Sequence, residues 1–196
     1  MSKIRKINKK EGTRLLIHNA IIHICTHCEL KDISNVTITE ICEQAGIARS
    51  TYYYYYNDIH SLIKEMEGEI LSGMKISKIV YLAEDYSNIR DEKILHIYNL
   101  CVFFKERLDY LKILMGPKGD PSFVYKMKKS ICKAFIQKLE NDQIKCDNIE
   151  LCASFVSGGF LNLLEYWIFE NNDISAYDIS RISGKMIYAN FYDINI

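Results

Sequence analysis

A run of polar and aromatic side chains near the N-terminus carries the clearest chemistry in the sequence. Arg49, Ser50 and Thr51 are followed directly by five consecutive tyrosines at residues 52–56. An arginine can donate two hydrogen bonds to O6 and N7 of a guanine, hydroxyl groups can bind a phosphate or a base edge, and a phenol can donate to a phosphate from a stiff side chain. These residue types indicate a nucleic-acid contact, provided that one helix presents them.

Two short helices joined by a tight turn are predicted to position this run. Thr37 and Glu40 fit a capping box, in which each side chain satisfies the other's backbone amide at a helix start. Gly46 can take the left-handed conformation that ends a helix. A second helix must begin at about Ala48, and residues 57–58 end it and cap a longer helix. The pair has the proportions of a helix-turn-helix, whose second helix enters a major groove.

The rest of the chain is also predicted to be helical, so the fold class is all-α. Apolar residues recur at three- and four-residue steps, whereas the alternation typical of strands is hard to find. Gly116, Asp120 and Pro121 suit the end of one helix and the N-cap and first turn of the next. The predicted helices outside the helix-turn-helix span residues 9–28, 58–80, 94–115, 121–141, 149–169 and 175 onward.

The last two predicted helices have more apolar surface than one core can bury. Residues 149–169 are apolar almost all round, apart from a narrow polar sector. The helix that starts at Ser175 has apolar residues on two faces. Surplus apolar surface on two adjacent helices predicts a subunit interface.

Composition excludes several classes of protein. The 196 residues are 48% hydrophobic with 2 prolines and no net charge, which is typical of a globular protein without a global basic field. No stretch approaches the roughly 20 apolar residues of a membrane helix, and no apolar segment follows the basic N-terminus. Seven cysteines without framework spacing predict reduced thiols in the cytoplasm. A basic cluster at Lys3, Arg5, Lys6, Lys9 and Lys10 is predicted to be a flexible arm that contacts DNA or stays solvated.

Residues 37–58, TITEICEQAGIARSTYYYYYND, resemble the DNA-binding region of the TetR family of bacterial transcriptional regulators. The resemblance lies in length, spacing and aromatic placement, although Ala48 stands where the family usually has a capping Ser or Thr. It implies a three-helix DNA-binding domain at residues 1–57 and a larger effector-binding and dimerisation domain at residues 58–196. The helix at about 58–80 would link the domains, and the last two helices would form a homodimer.

The resemblance also implies roles for individual side chains. Tyr52 and Tyr56 would be buried, which agrees with their spacing of four residues on one helix face. The side chains implied to contact DNA near phosphates or in the groove are Thr37, Thr39, Arg49, Ser50, Thr51, Tyr53, Tyr54 and Tyr55. An apolar effector cavity between helices is implied, with candidate contacts at Tyr98, Phe104, Phe123, Met127, Phe160, Leu164 and Trp167. The candidate dimer contacts are Leu151, Phe155, Gly159, Leu163, Ile179, Ile182 and Met186.

Other chemistry finds less support in the sequence. His23, Cys25, His27 and Cys28 suggest a metal or redox site, but on a helix the two histidines share one face and the two cysteines another, so they do not form a closed four-ligand site. No nucleophile and base, phosphate-binding glycine loop or acid pair has a catalytic spacing, so neither an enzyme nor a cofactor is predicted.

The sequence therefore predicts a cytoplasmic, homodimeric regulator with no membrane segment and no metal. It would act as a repressor that binds a near-palindromic site in double-stranded DNA and is released by a small-molecule effector. Two alternatives remain open. One is a helical co-regulator or adaptor that acts through protein partners, and the other is a thiol- or metal-responsive variant of the same regulator.

Overall fold

The computed structural model of the chain describes residues 2–27, 33–80, 92–116, 119–144 and 146–192. The secondary structure of these residues is helical, as the sequence predicts. Its helices are α1 (Ser2–His27), α2 (Ile38–Ala45), α3 (Arg49–Tyr55), α4 (Ile59–Val80), α5 (Glu92–Lys105), α6 (Leu108–Met115), α7 (Pro121–Asn141), α8 (Ile149–Phe169) and α9 (Ala176–Tyr192), with a 3-10 turn at Ile33–Asn35. The turn predicted near residues 84–88 lies outside the described residues.

The first three helices form a small unit around one core. α1 packs against α2, and α2 packs against α3. The buried side chains include Ile17 and Ile21 of α1, Ile41 of α2 and Tyr52 of α3. α1 also packs against α6, while α4 packs against α5 and α7. Through the contact of α1 with α6, the N-terminal unit is joined to the C-terminal helices.

The prediction of a flexible basic arm is wrong for the backbone of residues 2–9, because α1 already begins at Ser2. Lysine, arginine and isoleucine are acceptable helix residues, and no glycine or proline occurs before Gly12. The helical periodicity of the apolar residues starts only later, so the pattern placed the start at residue 9. The basic cluster is thus part of the first turns of α1.

The predicted capping box at the start of α2 is confirmed. The backbone N–H of Thr37 donates to Glu40 Oε2 at 2.9 Å, and the backbone N–H of Glu40 donates to Thr37 Oγ1 at 3.3 Å. At the other end, Gly46 has φ = 64° and its N–H is hydrogen-bonded to the last turn. α2 therefore has a defined start and a defined end, which sets the direction in which α3 leaves the turn.

Replacement of Gly46 by alanine is expected to lower the free energy of unfolding by about 1–2 kcal/mol, because a Cβ disfavours the left-handed conformation. Thermal or urea unfolding would measure the change. Gly68→Ala is the matched control: Gly68 lies inside α4, where an added Cβ would meet open space, so that variant should gain roughly 0.5–1 kcal/mol. Equal effects of the two substitutions would contradict the role given to Gly46.

The predicted helix 94–115 is wrong in one respect, since it is divided into α5 and α6 at Glu106 and Arg107. Arg107 has φ = −124° and ψ = 26°, and neither glycine nor proline marks the break. Gly116 follows α6 as predicted, but its φ of −61° is not left-handed. Glycine suits this position because a Cβ there would lie 2.5 Å from the carbonyl oxygen of Lys112.

The ends of α7, α8 and α9 agree closely with the prediction. Asp120 caps α7 by accepting from the N–H of Ser122 at 2.8 Å, and Ser175 caps α9 by accepting from the N–H of Asp178 at 3.1 Å. α7 packs on α8, and α5 packs on α9. Together these helices form the C-terminal core.

α8 is long and apolar enough, by length and composition, to cross a membrane, although the sequence predicts no such helix. The core helices of soluble proteins meet the same criterion. Here Phe160, Leu164 and Trp167 are buried, and the Trp167 indole donates to the carbonyl oxygen of Ile174 at 2.8 Å. α8 is therefore packed on one side as a core helix.

Candidate nucleic-acid interface

α3 is held against the N-terminal core by two tyrosines, as the sequence predicts. Tyr52 is fully buried and Tyr56 is 3% exposed. The Tyr52 hydroxyl donates to the carbonyl oxygen of Asp58 at 3.2 Å, and the Tyr56 hydroxyl donates to Glu65 Oε1 at 2.9 Å. Burial raises the pKa of both phenols, so both remain protonated donors. These contacts fix the orientation of α3 about its own axis.

The opposite side of α3 is open to solvent. Tyr53 is 53% exposed and Tyr54 is 66% exposed. Arg49 and Ser50 are exposed at the start of the helix, whereas Thr51 and Tyr55 are partly buried. We call the set Arg49, Ser50, Tyr53 and Tyr54 the α3 face. It contains four of the eight side chains predicted to contact DNA.

The two other helices of the unit contribute to this face. Arg49 Nη2 donates to Thr39 Oγ1 at 2.6 Å, so a side chain of α2 holds the guanidinium group. Lys10 of α1 lies with its Nζ 5.1 Å from the centre of the Tyr54 ring, and a hydrogen bond to Tyr54 raises the pKa of Lys10. The structure thus brings a cation from each of α1 and α3 to one side. Lys10 was predicted only as part of an arm.

Thr37 and Ala48 are the N-cap residues of α2 and α3, and only Thr37 caps its helix with a side-chain hydrogen bond. The Thr37 hydroxyl donates to Glu40 Oε2 at 2.8 Å and also accepts in the capping box, so it is engaged within the protein. Ala48 occupies the N-cap of α3 and provides no side-chain hydrogen bond, as its residue type requires. The absence of a side-chain cap costs α3 about 1 kcal/mol relative to serine. The contact of Thr37 with phosphate remains a prediction.

A buried histidine links the helix-turn-helix to the C-terminal helices. His18 of α1 is 3% exposed. Its Nδ1 lies 2.8 Å from the hydroxyl of Tyr110 in α6, and its Nε2 lies 3.0 Å from the hydroxyl of Tyr56 at the end of α3. Tyr56 in turn donates to Glu65 of α4. Four elements of the fold therefore meet at one hydrogen-bonded chain.

The donor and acceptor in each of these hydrogen bonds follow from the protons that the side chains carry. A tyrosine hydroxyl has one hydrogen, and Tyr56 donates it to Glu65, so Tyr56 accepts from Nε2–H of His18. In neutral His18 the Nδ1 atom then accepts from Tyr110. Desolvation lowers the pKa of His18, against the opposing effect of Glu65, and burial raises the pKa of Tyr110 to about 12. Both pKa shifts favour the neutral His18 and Tyr110 that these hydrogen bonds require.

We expect His18 to make the protein less stable below about pH 6.5, which is the ordinary pKa of a histidine side chain. Because the folded pKa is depressed, the contribution of His18 is complete above the unfolded pKa and is lost as pH falls towards the folded pKa. The groups facing His18 are Arg14, Tyr56, Glu65, Glu69 and Tyr110.

Urea unfolding at several pH values would measure this effect. The difference in free energy of unfolding between the parent and His18→Gln should change in favour of the variant as pH falls. His60→Gln, at an exposed histidine of α4, is the control and should follow the parent. An unchanged difference between the parent and His18→Gln across this pH range would refute the neutral assignment.

Nitrogen and carboxylate atoms of His18, Glu65 and Glu69 lie within 4.8 Å of one another, which is a spacing that could hold a metal ion. However, each imidazole nitrogen already lies within hydrogen-bonding distance of a tyrosine hydroxyl. A hydrogen-bonded chain therefore describes this cluster better than a metal site. Of the cysteine-histidine motif, Cys25 is buried while His23 is exposed. The side chains of residues 27 and 28 are outside the described part of the chain.

Two other cysteines lie close together near the start of α8. The Sγ atoms of Cys146 and Cys152 are 2.8 Å apart, and both side chains are partly exposed. Their hydrogen bond raises the pKa of Cys152. A raised pKa lowers the thiolate fraction and so opposes reactivity. Thiol responsiveness remains a hypothesis.

A cavity of about 610 Å³ lies between five C-terminal helices. Its wall includes Met74 of α4, Ile97 of α5, Ile131 of α7, Phe160 of α8 and Ile187 of α9. The volume falls in the range of about 300–1,000 Å³ that is typical of small-molecule sites. The cavity therefore has the size and the position between helices that a small-molecule site requires.

Phe160 is the one predicted ligand contact that lines this cavity. Tyr98 is partly buried elsewhere, and the other five predicted side chains are buried in the core: Phe104, Phe123, Met127, Leu164 and Trp167. These residues are large and apolar, and the structure uses them for packing. The sequence prediction selected large aromatic and aliphatic side chains, so it did not include the polar residues of α7 in the cavity wall, such as Lys133 and Gln137.

A strip of apolar side chains is exposed along α8 and α9. Phe155 is 80% exposed, Leu151 is 68% exposed and Met186 is 65% exposed. Ile182 is also exposed, and so is Gly159 of α8, where an added Cβ would meet nothing within 4 Å. We call these five residues the α8–α9 strip; all five were predicted dimer contacts. Of the other two, Leu163 is partly buried and Ile179 is buried within the protomer.

A helix-turn-helix with an exposed second helix, followed by a larger set of packed helices, defines a class of DNA-binding regulators. Residues 92–189 match a TetR-type family model described as "Transcriptional regulator C-terminal region", which covers half of the chain. The chain belongs to the TetR family of transcriptional regulators. A search of curated proteins finds no match.

Solved structures share the whole fold. The chain is similar to a TetR transcriptional regulator from Streptococcus agalactiae 2603V, with a TM-score of 0.63, 18% identity and coverage of 94% of this chain and 98% of that one. A putative fatty acid metabolism regulator from Clostridium perfringens has a TM-score of 0.62, 16% identity and coverage of 90% and 98%. A complex of SmeT with triclosan has a TM-score of 0.63, 12% identity and coverage of 92% and 91%.

Proposed function

We propose that the protein is a homodimeric repressor that binds a palindromic operator and is released from it by a small molecule. Residues 1–57 form the DNA-binding domain and residues 58–196 the effector-binding and dimerisation domain, with α4 joining them. The protein works in the cytoplasm and carries out no catalysis. The single observation that supports this function most strongly is the α3 face, exposed on a helix that Tyr52 and Tyr56 hold from behind.

The α3 face has the chemistry of groove recognition. Arg49 supplies the forked donor that suits a guanine, and its hydrogen bond to Thr39 limits the directions in which it can point. Tyr53 and Tyr54 supply exposed hydroxyls for phosphates or base edges, and Lys10 adds a positive charge beside Tyr54. Ser50 completes the α3 face. Thr37, Thr39, Thr51 and Tyr55 remain proposed contacts on its flanks. The net charge of the chain is zero, so binding must rest on this local surface.

A second copy of the chain is proposed to cover the α8–α9 strip. Exposed apolar side chains on two neighbouring helices are costly in water, and a C2 dimer buries the same surface on both subunits. Gly159 supports this arrangement, because a residue without a side chain lets two helices approach closely. Dimerisation also places two α3 faces on one duplex, which is why the operator is expected to be palindromic.

α4 is proposed to couple the cavity to the DNA-binding domain. Met74 and Lys75 of this helix line the cavity. Earlier in the same helix, about one and a half turns back, Glu69 lies 3.8 Å from His18, and a further turn back Glu65 accepts from Tyr56. A ligand that moves α4 therefore disturbs the hydrogen bonds among His18, Tyr56 and Glu65 that position α3. It releases DNA only if it binds the DNA-free arrangement better than the DNA-bound one. The triclosan complex of a similar fold supports a small-molecule effector.

Selection of duplexes from a random library by the purified full-length protein tests this function. We expect enrichment of a palindrome with half-sites one helical turn apart, about 10 base pairs, and two protein chains for each duplex. Failure to enrich any motif would refute operator recognition. In that case the exposed surfaces would be tested for protein partners, as the adaptor alternative requires.

A further inference from the structure

The wall of the cavity has two kinds of surface. Its deeper part is apolar and includes Ile131, Val156 and Phe160, all of which are buried. Its polar side chains include Lys75 from α4 and Lys133 from α7, and both of these lysines are exposed. Because a lysine keeps its ammonium group in water while its stem packs on apolar surface, these two charges lie at the rim.

Among the wall residues that the structure describes, the charged side chains are all basic. The titratable side chains among the described wall residues are Lys75, His96, Lys133 and Lys138, and none of the described wall residues is acidic. Lys138 is paired with Asp142, which lies outside the wall, at 2.7 Å. Lys75 and Lys133 therefore leave the rim positive. An apolar cavity with a positive rim favours a ligand that is negative at one end and apolar at the other.

We propose that the effector is an amphipathic organic anion, with an acid group between Lys75 and Lys133 and an apolar chain against Ile131, Val156 and Phe160. The ligand class follows from the cavity wall alone. The role of that ligand as an effector rests on the proposed function. Binding of such an anion also links two helices, because the lysines come from α4 and α7. An acid group bound to Lys75 acts on the helix that carries Glu65 and Glu69.

Isothermal titration calorimetry with three ligands of equal chain length tests the ligand class. The probes are decanoate, 1-decanol and decyltrimethylammonium, all at neutral pH and below the concentrations at which they aggregate. We expect decanoate to bind about tenfold more tightly than 1-decanol, since two charge-assisted contacts are added, and decyltrimethylammonium to bind more weakly than either. Octanoate should bind more weakly than decanoate, because two methylenes fewer are buried.

The double variant Lys75→Gln, Lys133→Gln should lose the preference for decanoate over 1-decanol while it still binds the alcohol. Lys129→Gln is the matched control, because Lys129 is exposed on the same helix α7 and lies over the ring of Tyr125 outside the cavity. It should bind all three probes like the parent. Ala134→Trp fills the cavity wall and should remove binding of both decanoate and 1-decanol.

Equal affinity for decanoate and 1-decanol, tighter binding of the cation, or no binding of any probe would overturn the ligand class. Retention of the decanoate preference in the double lysine variant would overturn the assigned residues. None of these measurements involves DNA, so their failure leaves operator binding intact. Conversely, decanoate that binds at the cavity without weakening operator binding would support the ligand class and contradict release by an effector.

Discussion

Arg49→Ala is expected to abolish discrimination at one base pair in each half-site, at a cost of about 1–3 kcal/mol for each lost contact. The variant should bind scrambled DNA almost as well as the parent, because phosphate contacts provide that affinity. Competition between the selected duplex and single-base variants of it would measure the change. The effect should be confined to one position of the half-site.

The physical reason lies in the geometry of the guanidinium group. Arg49 is the first residue of α3, and Thr39 Oγ1 accepts from its Nη2 at 2.6 Å. The remaining N–H donors of the planar group can then contact a base edge from a restricted direction. Arg49→Lys should not restore discrimination, because an ammonium group lacks the two parallel donors of a guanidinium group.

Lys129→Ala is the control for loss of positive charge, because it removes one cation from α7 and none from the α3 face. It should leave the base preference unchanged. If Arg49→Ala discriminates at every position like the parent, Arg49 does not read a base. If Arg49→Ala weakens all sequences equally, the residue contacts phosphate only.

Phe155→Asp is expected to prevent the proposed dimer from forming and to weaken operator binding by about 100-fold or more. Phe155 is 80% exposed in the protomer, so the substitution disturbs little of the protomer's own core. In the proposed dimer it would bury an unpaired charge at the centre of the α8–α9 strip. The second α3 face would then no longer be held near its half-site.

Sedimentation and titration of the selected duplex would measure both consequences. Tyr125→Asp is the matched control, because Tyr125 is another exposed aromatic residue but lies on α7. It should leave mass and affinity unchanged. A Phe155→Asp protein that remains dimeric and binds the operator like the parent would place the subunit interface elsewhere.

Local signals in the sequence predicted the helix-turn-helix well. The capping box of Thr37 and Glu40 and the left-handed Gly46 depend on neighbouring residues, and the sequence displays them directly. The burial of Tyr52 and Tyr56 follows from their spacing on one helix. The break at Arg107 carries no such signal, because neither glycine nor proline stands there and no side-chain cap marks the start of α6.

The cavity and the hydrogen bonds of His18 could not be predicted in the same way, because each depends on how several helices pack. The cavity is lined by five helices, and its lysines are polar residues that look solvent-exposed in the sequence. For His18 one signal was present. It lies beside Ile17 and three residues before Ile21, so a titratable group falls next to a buried stripe. Its partners Tyr56 and Tyr110 are 38 and 92 residues away, beyond the reach of local patterns.

The affinity of the full-length protein for the selected duplex, compared with a scrambled duplex of equal composition at two salt concentrations, tests most directly whether the α3 face reads DNA sequence. We predict a specificity ratio of about 1,000 or more, and a preference that persists when the salt concentration rises. Equal affinity for the two duplexes, falling together as salt increases, would show only counterion release by basic residues and would contradict sequence recognition by the α3 face.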